Sequence, residues 1–364
     1  MENNEKKYLT GNKGEWSEIY VLFKLLADGG VYAGDANMEK LETYYPILQV
    51  IRQEVCRYTY IPDIERNIIF IHENGEEISQ LPVERFIFES NKLLKSLKNK
   101  DKKRAFALPE TEMFMNNISC CTIKAPSKKK ADIEVVIRDP ITNMTPTLGF
   151  SIKSQLGSPS TLLNPGESTN IVYKINGEMT DDEMNRINSI GSHLDKVHEL
   201  YKSNYTLEFD SIPHPIFRNN LFFLDSYMPK FIADCLLFDS VYGNPNVTAA
   251  VNHLAETNPL QYPGNAQTYY EHKMKQLLLA TALGMTPAKE WTGRFDANGG
   301  YLVVRKDGEI VCYHFYNQNE VEDYLYNNTR FDRASRTRYK YGSIYKSKDG
   351  KYYFKLNLQI RFKV

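Results

Sequence analysis

The chain has 364 residues, with 45 basic and 45 acidic side chains and therefore a formal net charge of zero. That balance excludes a strongly basic coat protein for nucleic acid, although a cleft that is basic only locally would leave the total unchanged. No apolar run is long enough to span a bilayer, and five scattered cysteines without a CxxC pair indicate reduced thiols rather than a zinc site. We therefore expect a cytoplasmic protein that makes no membrane contact and has one large or two modest domains.

The N-terminal helix has its own start and stop signals. Asn12 and Glu15 have the spacing of a capping box, an apolar stripe follows at helical period, and Gly29 and Gly30 end the pattern. The sequence therefore predicts a first helix over residues 12–28. The elements predicted next are a helix from Met38 to Val55, a hairpin that turns at Asn74 and Gly75, and helices that begin at Pro82 and Pro109.

Two short apolar segments, residues 131–137 and 148–154, carry charges that a core strand normally lacks. Side chains alternate faces along a strand, so Asp132 shares a face with Glu134, and Ser151 shares one with Lys153. If the strands pair as a hairpin, an acid, a hydroxyl and a lysine meet, and this group suits metal-assisted cleavage of a phosphodiester. The alternative interpretation is an edge strand whose polar face is solvated.

The segment that follows these strands is rich in small hydrogen-bond donors. We expect it to end at the N-cap of a helix, which is a natural place for contacts to phosphate. Gly149, inside the second strand, permits the close approach of another backbone or of a phosphate. The candidates for phosphate contact are Gln155, Ser158, Ser160 and Thr161.

The remainder of the chain alternates helical and strand patterns, without internal repeats. The pattern predicts a strand at residues 170–175, one long helix from Thr180 to Tyr201, and helices over 217–242 and 267–283. The C-terminal hundred residues contain two hairpin signals, at 301–315 and 343–362, separated by a short helix and an arginine-rich loop. Together these elements indicate a mixed α/β core followed by a C-terminal α+β portion.

Three runs, residues 12–18, 149–158 and 352–362, resemble the HpaII-type restriction endonuclease family. An aspartate on one strand followed by x-Lys on the next is similar to the PD-(D/E)XK nuclease superfamily, and Lys13-Gly14 with Glu18 is similar to the first helix of its Holliday-junction resolvases. The resemblance implies an α/β (α+β) fold with a mixed central sheet flanked by helices. It places the nuclease core in residues 1–260, with catalytic strands at 130–155, and a DNA-recognition portion in residues 261–364.

The same resemblance implies roles for the charged strands. Asp132 becomes a metal ligand, Lys153 the catalytic lysine, and the Ile152 carbonyl a second ligand to Mg²⁺. Ser151 departs from the superfamily pattern, which has Asp or Glu at that place, and a serine cannot supply the missing negative charge. The glutamates that could complete the site are, in order of preference, Glu18, Glu15 and Glu134.

The substrate class implied by the resemblance is double-stranded DNA with a short GC-rich palindrome, CCGG for the family's namesake. It also implies 5′-phosphate ends, a homodimer on the two-fold site, and a cognate DNA methyltransferase as functional partner. Arginine can read guanine O6 and N7 bidentately, which makes the basic run near the C-terminus our candidate for DNA contact. That run comprises Arg330, Arg333, Arg336, Arg338 and Lys340.

Several alternatives remain at this stage. The basic run has the alternative of an ordinary solvated loop, and the lysine-rich segment from Lys92 to Arg104 is interpreted as a solvated helix end. A structure-specific or repair nuclease of the same fold would cut branched or damaged DNA without a defined site. Because Ser151 leaves one carboxylate too few, a sequence-specific DNA-binding protein that has lost catalysis is a further reading.

Overall fold

The computed structural model describes residues 8–100, 104–124, 131–140, 142–294 and 298–363. Lys102 and Lys103 of the lysine-rich segment lie outside these described residues. No helix in the described ranges is both long enough and apolar enough to cross a membrane. All five cysteines are free thiols, as the sequence indicates.

The described ranges contain both helices and strands, and in places several strands or several helices follow one another along the chain. The helices are α1 (Lys13–Asp28), α2 (Val83–Asn99), α3 (Pro109–Asn117), α4 (Asp181–Asn188), α5 (His193–Lys202), α6 (Pro215–Leu224), α7 (Met228–Tyr242), α8 (Val247–Thr257), α9 (Ala266–Ala282), α10 (Gln318–Asn328) and α11 (Arg336–Tyr339). The first strands are β1 (Thr10–Gly11), β2 (Gly30–Gly34), β3 (Lys40–Gln53), β4 (Arg57–Asp63), β5 (Ile68–Glu73), β6 (Glu76–Pro82), β7 (Phe106–Ala107), β8 (Ile133–Ile137) and β9 (Thr147–Ser154). The remaining strands are β10 (Thr161–Leu163), β11 (Asn170–Asn176), β12 (Thr206–Ser211), β13 (Gly300–Val304), β14 (Ile310–His314), β15 (Thr329–Phe331), β16 (Ile344–Lys346), β17 (Tyr352–Asn357) and β18 (Ile360–Phe362).

The chain divides into two compact units, each built from two separate stretches. Of the described residues, 8–160 and 298–324 form the first unit, and 161–294 and 325–363 form the second. The predicted strands at 130–155 lie in the first unit, whereas the basic run lies in the second. The boundary that the sequence suggests at residue 260 falls inside the second unit.

A mixed nine-stranded sheet forms the centre of the first unit, in the order β2-β14-β13-β9-β8-β3-β4-β5-β6. Two neighbouring pairs are parallel, β13 with β9 and β14 with β2, and the other neighbours are antiparallel. Apolar side chains of α1 and α2, among them Trp16, Phe23 and Phe86, pack with strand residues such as Phe150 and Leu302 in one buried cluster. Side chains alternate faces along β13 and β14, so Tyr301 and Tyr313 lie on the other face of the sheet from Leu302. Both contact Tyr324 of α10. The predicted α/β fold with a mixed central sheet and flanking helices is therefore confirmed.

Helix α1 forms where its local signals predict. The Asn12 side chain accepts from the Glu15 backbone N–H, and the Glu15 carboxylate accepts from the Asn12 N–H. Gly29 ends the helix in the left-handed conformation, with φ of 68°. The hairpin at Asn74 and Gly75 is also confirmed, since both residues have positive φ between β5 and β6.

The helix predicted from Met38 to Val55 is wrong, because that stretch forms the long strand β3. β3 pairs with β2, β4 and β8, and its buried Tyr45 and Ile47 flank Pro46. Proline would remove a hydrogen bond from the middle of a helix, and the flanking aromatic and β-branched residues favour a strand. The local pattern therefore contained a signal against the helix.

Two predicted long helices are each divided into two. The helix predicted from Thr180 to Tyr201 is broken after Asn188, and Ser192 caps α5 with its own side chain. The helix predicted over 217–242 ends at Leu224 and restarts at Met228, with a proline in the first turn of α7. Thr180 does cap α4 with the full capping box, as predicted. Helix α8 has no counterpart in the sequence prediction.

The second unit contains a four-stranded sheet, β12-β11-β17-β16, and a three-stranded sheet, β10-β18-β15. The predicted strand at 170–175 is confirmed as β11. Of the hairpin predicted at 343–362, the pairing of β16 with β17 is confirmed, but the second strand ends at Asn357, and Ile360–Phe362 forms β18 in the three-stranded sheet. The arginine-rich stretch is not a simple loop, since it contains strand β15 and the short helix α11.

Candidate active site

The two charged strands pair as an antiparallel hairpin, with Ile133 opposite Phe150 and Glu134 opposite Gly149. Asp132 immediately precedes β8, and its backbone N–H donates to the Phe150 carbonyl at 2.9 Å. Its Oδ2 accepts a hydrogen bond from the Ile152 N–H at 2.7 Å. The carboxylate is therefore held against the Ser151–Ile152 segment of β9. The strand that carries the acid is therefore paired with the strand that carries the hydroxyl and the lysine, which is the condition that the sequence analysis set for this group.

Burial and hydrogen bonding act in opposite directions on the Asp132 carboxylate. Burial raises its pKa above the ordinary value, whereas the Ile152 N–H and the positive charge of Lys153 act to lower it. Burial dominates, so the pKa lies above its usual range. A carboxylate in this state gains from any further positive charge placed beside it.

The Lys153 side chain is held in a desolvated position. Burial lowers its pKa, and the negative charges of Asp132 and Glu18 partly oppose that shift. Its Nζ lies 5.3 Å from the centre of the Tyr301 ring, within the range of a cation–π interaction. The charges of both acids therefore act on the same ammonium group.

Of the three candidate glutamates, Glu18 is the one whose charge acts on Lys153. Glu15 has other partners, because its carboxylate accepts from the Asn12 backbone and binds Lys124 Nζ at 3.0 Å. Glu134 lies on β8 opposite Gly149. The charge effect at Lys153 keeps Glu18 as the preferred candidate.

Contacts with the end of β9 position Glu18. Ser17 is fully buried, and its hydroxyl hydrogen bonds to the Ser154 hydroxyl at 2.8 Å. Gly157 packs against the first turn of α1, since a Cβ at this position would lie 3.3 Å from Lys13 Cβ. Helix α1 and strand β9 are thus fixed to each other. The contact joins the residue before Glu18 to the residue after Lys153.

Gly149 allows the close approach of a backbone, as predicted. A Cβ on Gly299 would lie 2.2 Å from the Gly149 carbonyl oxygen, so neither β9 nor the start of β13 has room for a side chain there. This contact brings Tyr301 beside Ser151 in the parallel register. Tyr301 is buried, and the Asp132 charge together with burial raises its pKa.

Tyr301 was missed from the sequence. Its strand was predicted, but the pairing of β13 with β9 joins segments about 150 residues apart, and no local pattern signals such a pairing. The same limit applies to Lys124, which binds Glu15 and also feels the charge of Glu18.

The loop after β9 differs from its prediction. It leads into strand β10, which begins at Thr161 and pairs with β18, so the expected helix N-cap is wrong. In the sheet, the backbone of Thr161–Leu163 forms hydrogen bonds with a neighbouring strand. A helix of three residues could not supply those hydrogen bonds. Gln155 is held by backbone contacts, because its Oε1 accepts from the Lys306 N–H at 3.2 Å and its N–H donates to Val304. Ser158 is exposed, and Ser160 is half-buried.

The basic run of the second unit separates into different environments. Arg333 binds the buried Asp239 carboxylate at 2.9 Å, and Arg330 lies 3.8 Å from Asp332, which Arg361 also binds. Lys340 pairs with the exposed Glu167 at 2.8 Å. Arg338 is exposed with its guanidinium over the Tyr339 ring, and Arg336 begins helix α11.

The donors of the first unit fit a divalent cation in part. No three side chains of His, Cys, Asp or Glu are grouped as a ready-made metal site within the described ranges. Asp132 and Glu18 nevertheless converge electrostatically on Lys153, and the Ile152 carbonyl is in the segment to which Asp132 is bonded. Mg²⁺ is usually bound through one or two carboxylates, with water and substrate phosphate completing its shell. These oxygen donors therefore suit Mg²⁺ that is shared with a bound phosphodiester.

Comparison with known proteins agrees with this chemistry. A family model described as HpaII restriction endonuclease matches residues 12–362. The type II restriction enzyme HpaII of Haemophilus parainfluenzae is 41% identical over 358 residues, which cover 98% of this chain and 99% of that relative. No solved structure gives a significant match.

Proposed function

This chain belongs to the HpaII restriction endonuclease family and is a type II site-specific deoxyribonuclease, and from that premise we propose that it cuts double-stranded DNA at a short GC-rich palindrome such as CCGG. The proposal assigns the cutting to Asp132, Glu18 and Lys153, with Mg²⁺ as cofactor. The observation that carries it is the convergence of the two carboxylates on one desolvated lysine at the β8–β9 hairpin.

Each side chain has a defined task in this proposal. Asp132 and Glu18 supply carboxylate oxygens to the metal, and the Ile152 carbonyl supplies another oxygen. When bound, the ion would supply positive charge that stabilises the transition state of phosphodiester hydrolysis. Lys153 stabilises the negative charge that develops on the attacked phosphate, and Ser151 lines the site where the superfamily has a carboxylate. Tyr301 holds the Lys153 ammonium against its ring face.

The hydrolysis consumes one water molecule for each strand cut. The water oxygen forms a bond to phosphorus while the bond between phosphorus and the 3′ oxygen breaks. The 3′ oxygen leaves with a proton, so the products are a 3′-hydroxyl and a 5′-phosphate. The low-dielectric setting of Lys153 strengthens its interaction with the developing charge.

We assign recognition to the C-terminal portion, residues 261–364, and within it to the basic run. Arg336 and Arg338 are the strongest candidates there for contact with DNA, in the groove or on the backbone, because Arg330 and Arg333 lie near acidic side chains. A palindrome is read most simply by a two-fold homodimer. A restriction enzyme acts on DNA inside the cell, so we propose a cytoplasmic location and a cognate DNA methyltransferase that protects the host sites.

The test is digestion of unmethylated phage DNA and of short duplexes that contain CCGG, GCGC or neither. We expect discrete fragments only with Mg²⁺, cutting of the CCGG duplex alone, and ends that ligate without prior phosphorylation. A smear, or preferential cutting of branched DNA, would support a structure-specific nuclease instead. Binding without cutting under every metal tested would overturn the assignment of Mg²⁺-dependent cleavage.

A further inference from the structure

The second unit contains a cationic pocket that the basic run only partly predicts. It has a volume of about 510 Å³ and is lined by Arg336, Thr337, Lys340, Ser343, Tyr345 and Lys355, among others. Three cationic side chains therefore face one space, together with two aliphatic hydroxyl groups. Lys355 comes from strand β17, which the sequence analysis treats only as part of a hairpin. We call this space the cationic pocket.

Backbone hydrogen bonds hold the walls of the cationic pocket in place. The Gly342 N–H donates to the Lys355 carbonyl at 2.9 Å, which joins the segment after α11 to β17. The buried Lys196 ammonium donates to the Gly342 carbonyl at 3.0 Å from behind. Gly342 has φ of 78°, and a Cβ there would lie 3.0 Å from Arg336 Cδ. The pocket is therefore preformed, and a ligand would bind without first ordering it.

The local charge is dominated by cations. Glu167, at an exposed position, pairs with Lys340 of the pocket. Burial and the positive charges of Arg333, Arg336 and Lys196 lower the pKa of His193, behind the pocket, to about 4. Burial and the Arg336 charge also lower the pKa of Lys196. Burial is the largest cause of both shifts, and the positive charge of Arg336 adds to each.

Lys355 has no acidic partner among the described ion pairs, and its ammonium lies 4.9 Å from the Tyr345 ring centre. Arg336 likewise forms none of the described ion pairs, in contrast to Arg333, which binds the buried Asp239 carboxylate. An anion in the cationic pocket would meet two such cations, one lysine shared with an exposed acid, and the hydroxyl donors. A phosphodiester group has the charge and the acceptor oxygens for this arrangement.

We propose that the cationic pocket binds one phosphodiester group of the DNA backbone, through Arg336, Lys355 and Lys340, with Thr337 and Ser343 as hydrogen-bond donors. The proposal rests on the proposed function, because it takes DNA as the ligand. A phosphate contact fixes the position of the protein on the duplex without reading its sequence. The pocket therefore contributes affinity equally to cognate and non-cognate DNA. Free inorganic phosphate has the same chemistry, and the experiment separates the two sources.

The experiment measures duplex binding by fluorescence anisotropy in EDTA, over a series of salt concentrations, for Arg336→Gln and Lys355→Gln. The matched control is Lys348→Gln, which removes the same charge from an exposed turn of the same unit. For each pocket variant we expect affinity about threefold to tenfold weaker at moderate salt, and a slope of log affinity against log salt shallower by about 0.9. The loss should be equal for CCGG and non-CCGG duplexes, and the control should match wild type.

Lys355→Arg serves as the rescue variant, because it keeps the charge and should keep the wild-type slope. Thermal unfolding of every variant identifies any that fail to fold, and Arg336→Gln and Lys355→Gln each test the pocket if the other fails to fold. Unchanged slopes in the pocket variants would overturn the proposal, as would a loss confined to the CCGG duplex. Inorganic phosphate that binds wild type in calorimetry without competing with DNA would also overturn it.

Cleavage by wild type and by Lys153→Ala is measured in parallel. If wild type fails to cut but the pocket variants still lose salt-dependent binding, the proposed cleavage fails and the phosphate site stands. If wild type cuts CCGG and the pocket variants bind DNA normally, the phosphate site fails and the cleavage stands.

Discussion

The β8–β9 hairpin of the first unit and the basic run of the second are both charged segments, but the surroundings of their charges differ. At the hairpin, burial raises the pKa of Asp132 and lowers that of Lys153, so it favours the neutral form of each group. In the basic run, Arg333 is bound to a buried carboxylate that keeps it in place. Desolvated ionisable groups with shifted pKa values are typical of functional sites, whereas a charge bound to a buried partner supports the fold.

Members of the basic run also differ from one another. Arg333 binds the buried Asp239 carboxylate, whereas Arg336 lines the cationic pocket together with Lys355 of β17. Four predictions, taken in order of expected effect, test the comparison between the hairpin and the basic run.

The largest effect is expected for Lys153→Ala. Removal of the ammonium leaves the developing phosphate charge without its nearest protein cation, so the cleavage rate should fall about 10³-fold. Lys174→Ala, which removes a half-buried strand lysine of the second unit, is the control and should cut normally. The measurement is single-turnover cleavage of a CCGG duplex. A Lys153→Ala enzyme that cuts within a few fold of wild type would place catalysis elsewhere.

The next test compares two glutamates on one helix. Glu18→Gln should lower the cleavage rate about 10²-fold with little change in stability, because its charge acts at Lys153. Glu15→Ala should leave cleavage nearly intact and lower the free energy of unfolding by about 1 kcal/mol, since Glu15 closes the capping box and binds Lys124. Plasmid cleavage and urea unfolding measure the two effects. The opposite pattern would exchange the roles of the two residues.

Arg333→Gln tests the structural half of the basic run. The Asp239 carboxylate is buried, and loss of its partner should lower the free energy of unfolding by about 2–3 kcal/mol. Arg338→Gln is the matched control at an exposed position, and its stability should equal that of wild type. Urea unfolding of both proteins gives the answer. Equal stability of the two variants would mean that the ion pair with Asp239 does not support the fold.

The smallest effect is a pH dependence from His193. Its folded pKa is lowered from 6.5 to about 4, so in the interval between these values the unfolded chain binds the proton and the folded chain does not. Stability should therefore fall by about 2 kcal/mol as the pH is lowered from about 7 to about 5. His193→Gln should remove that part of the pH dependence in urea unfolding. A variant with an unchanged profile would assign the dependence to other groups.

The parts of the fold that sequence could predict are those with local causes. The capping box at Asn12 and Glu15 and the turn at Asn74 and Gly75 are made by neighbouring residues, and both are confirmed. The helix predicted from Met38 to Val55 is wrong, and Pro46 in the middle of β3 is the local residue that argues against it. Its strand state depends on pairing with β2, β4 and β8, which no local window contains.

The same distinction between local and long-range causes applies to the candidate site. The hairpin that brings Asp132 to Ser151 and Ile152 joins segments close in sequence, and the alternation of side chains was enough to predict it. The contact of Lys153 with Tyr301 depends on a parallel pairing between distant segments. The ion pair of Arg333 with the buried Asp239 also comes from long-range packing. Sequence therefore predicts which groups carry the chemistry better than it predicts which groups support them.

The most direct test of the central claim is cleavage and binding by Asp132→Asn, measured side by side on a CCGG duplex with and without Mg²⁺. This change keeps the size of the side chain and an oxygen that can accept from the Ile152 N–H, and it removes only the negative charge. We expect duplex binding close to that of wild type, folding unchanged, and no detectable Mg²⁺-dependent cutting. Cutting at the wild-type rate would contradict the account, because the β8–β9 hairpin would then not hold the catalytic carboxylate.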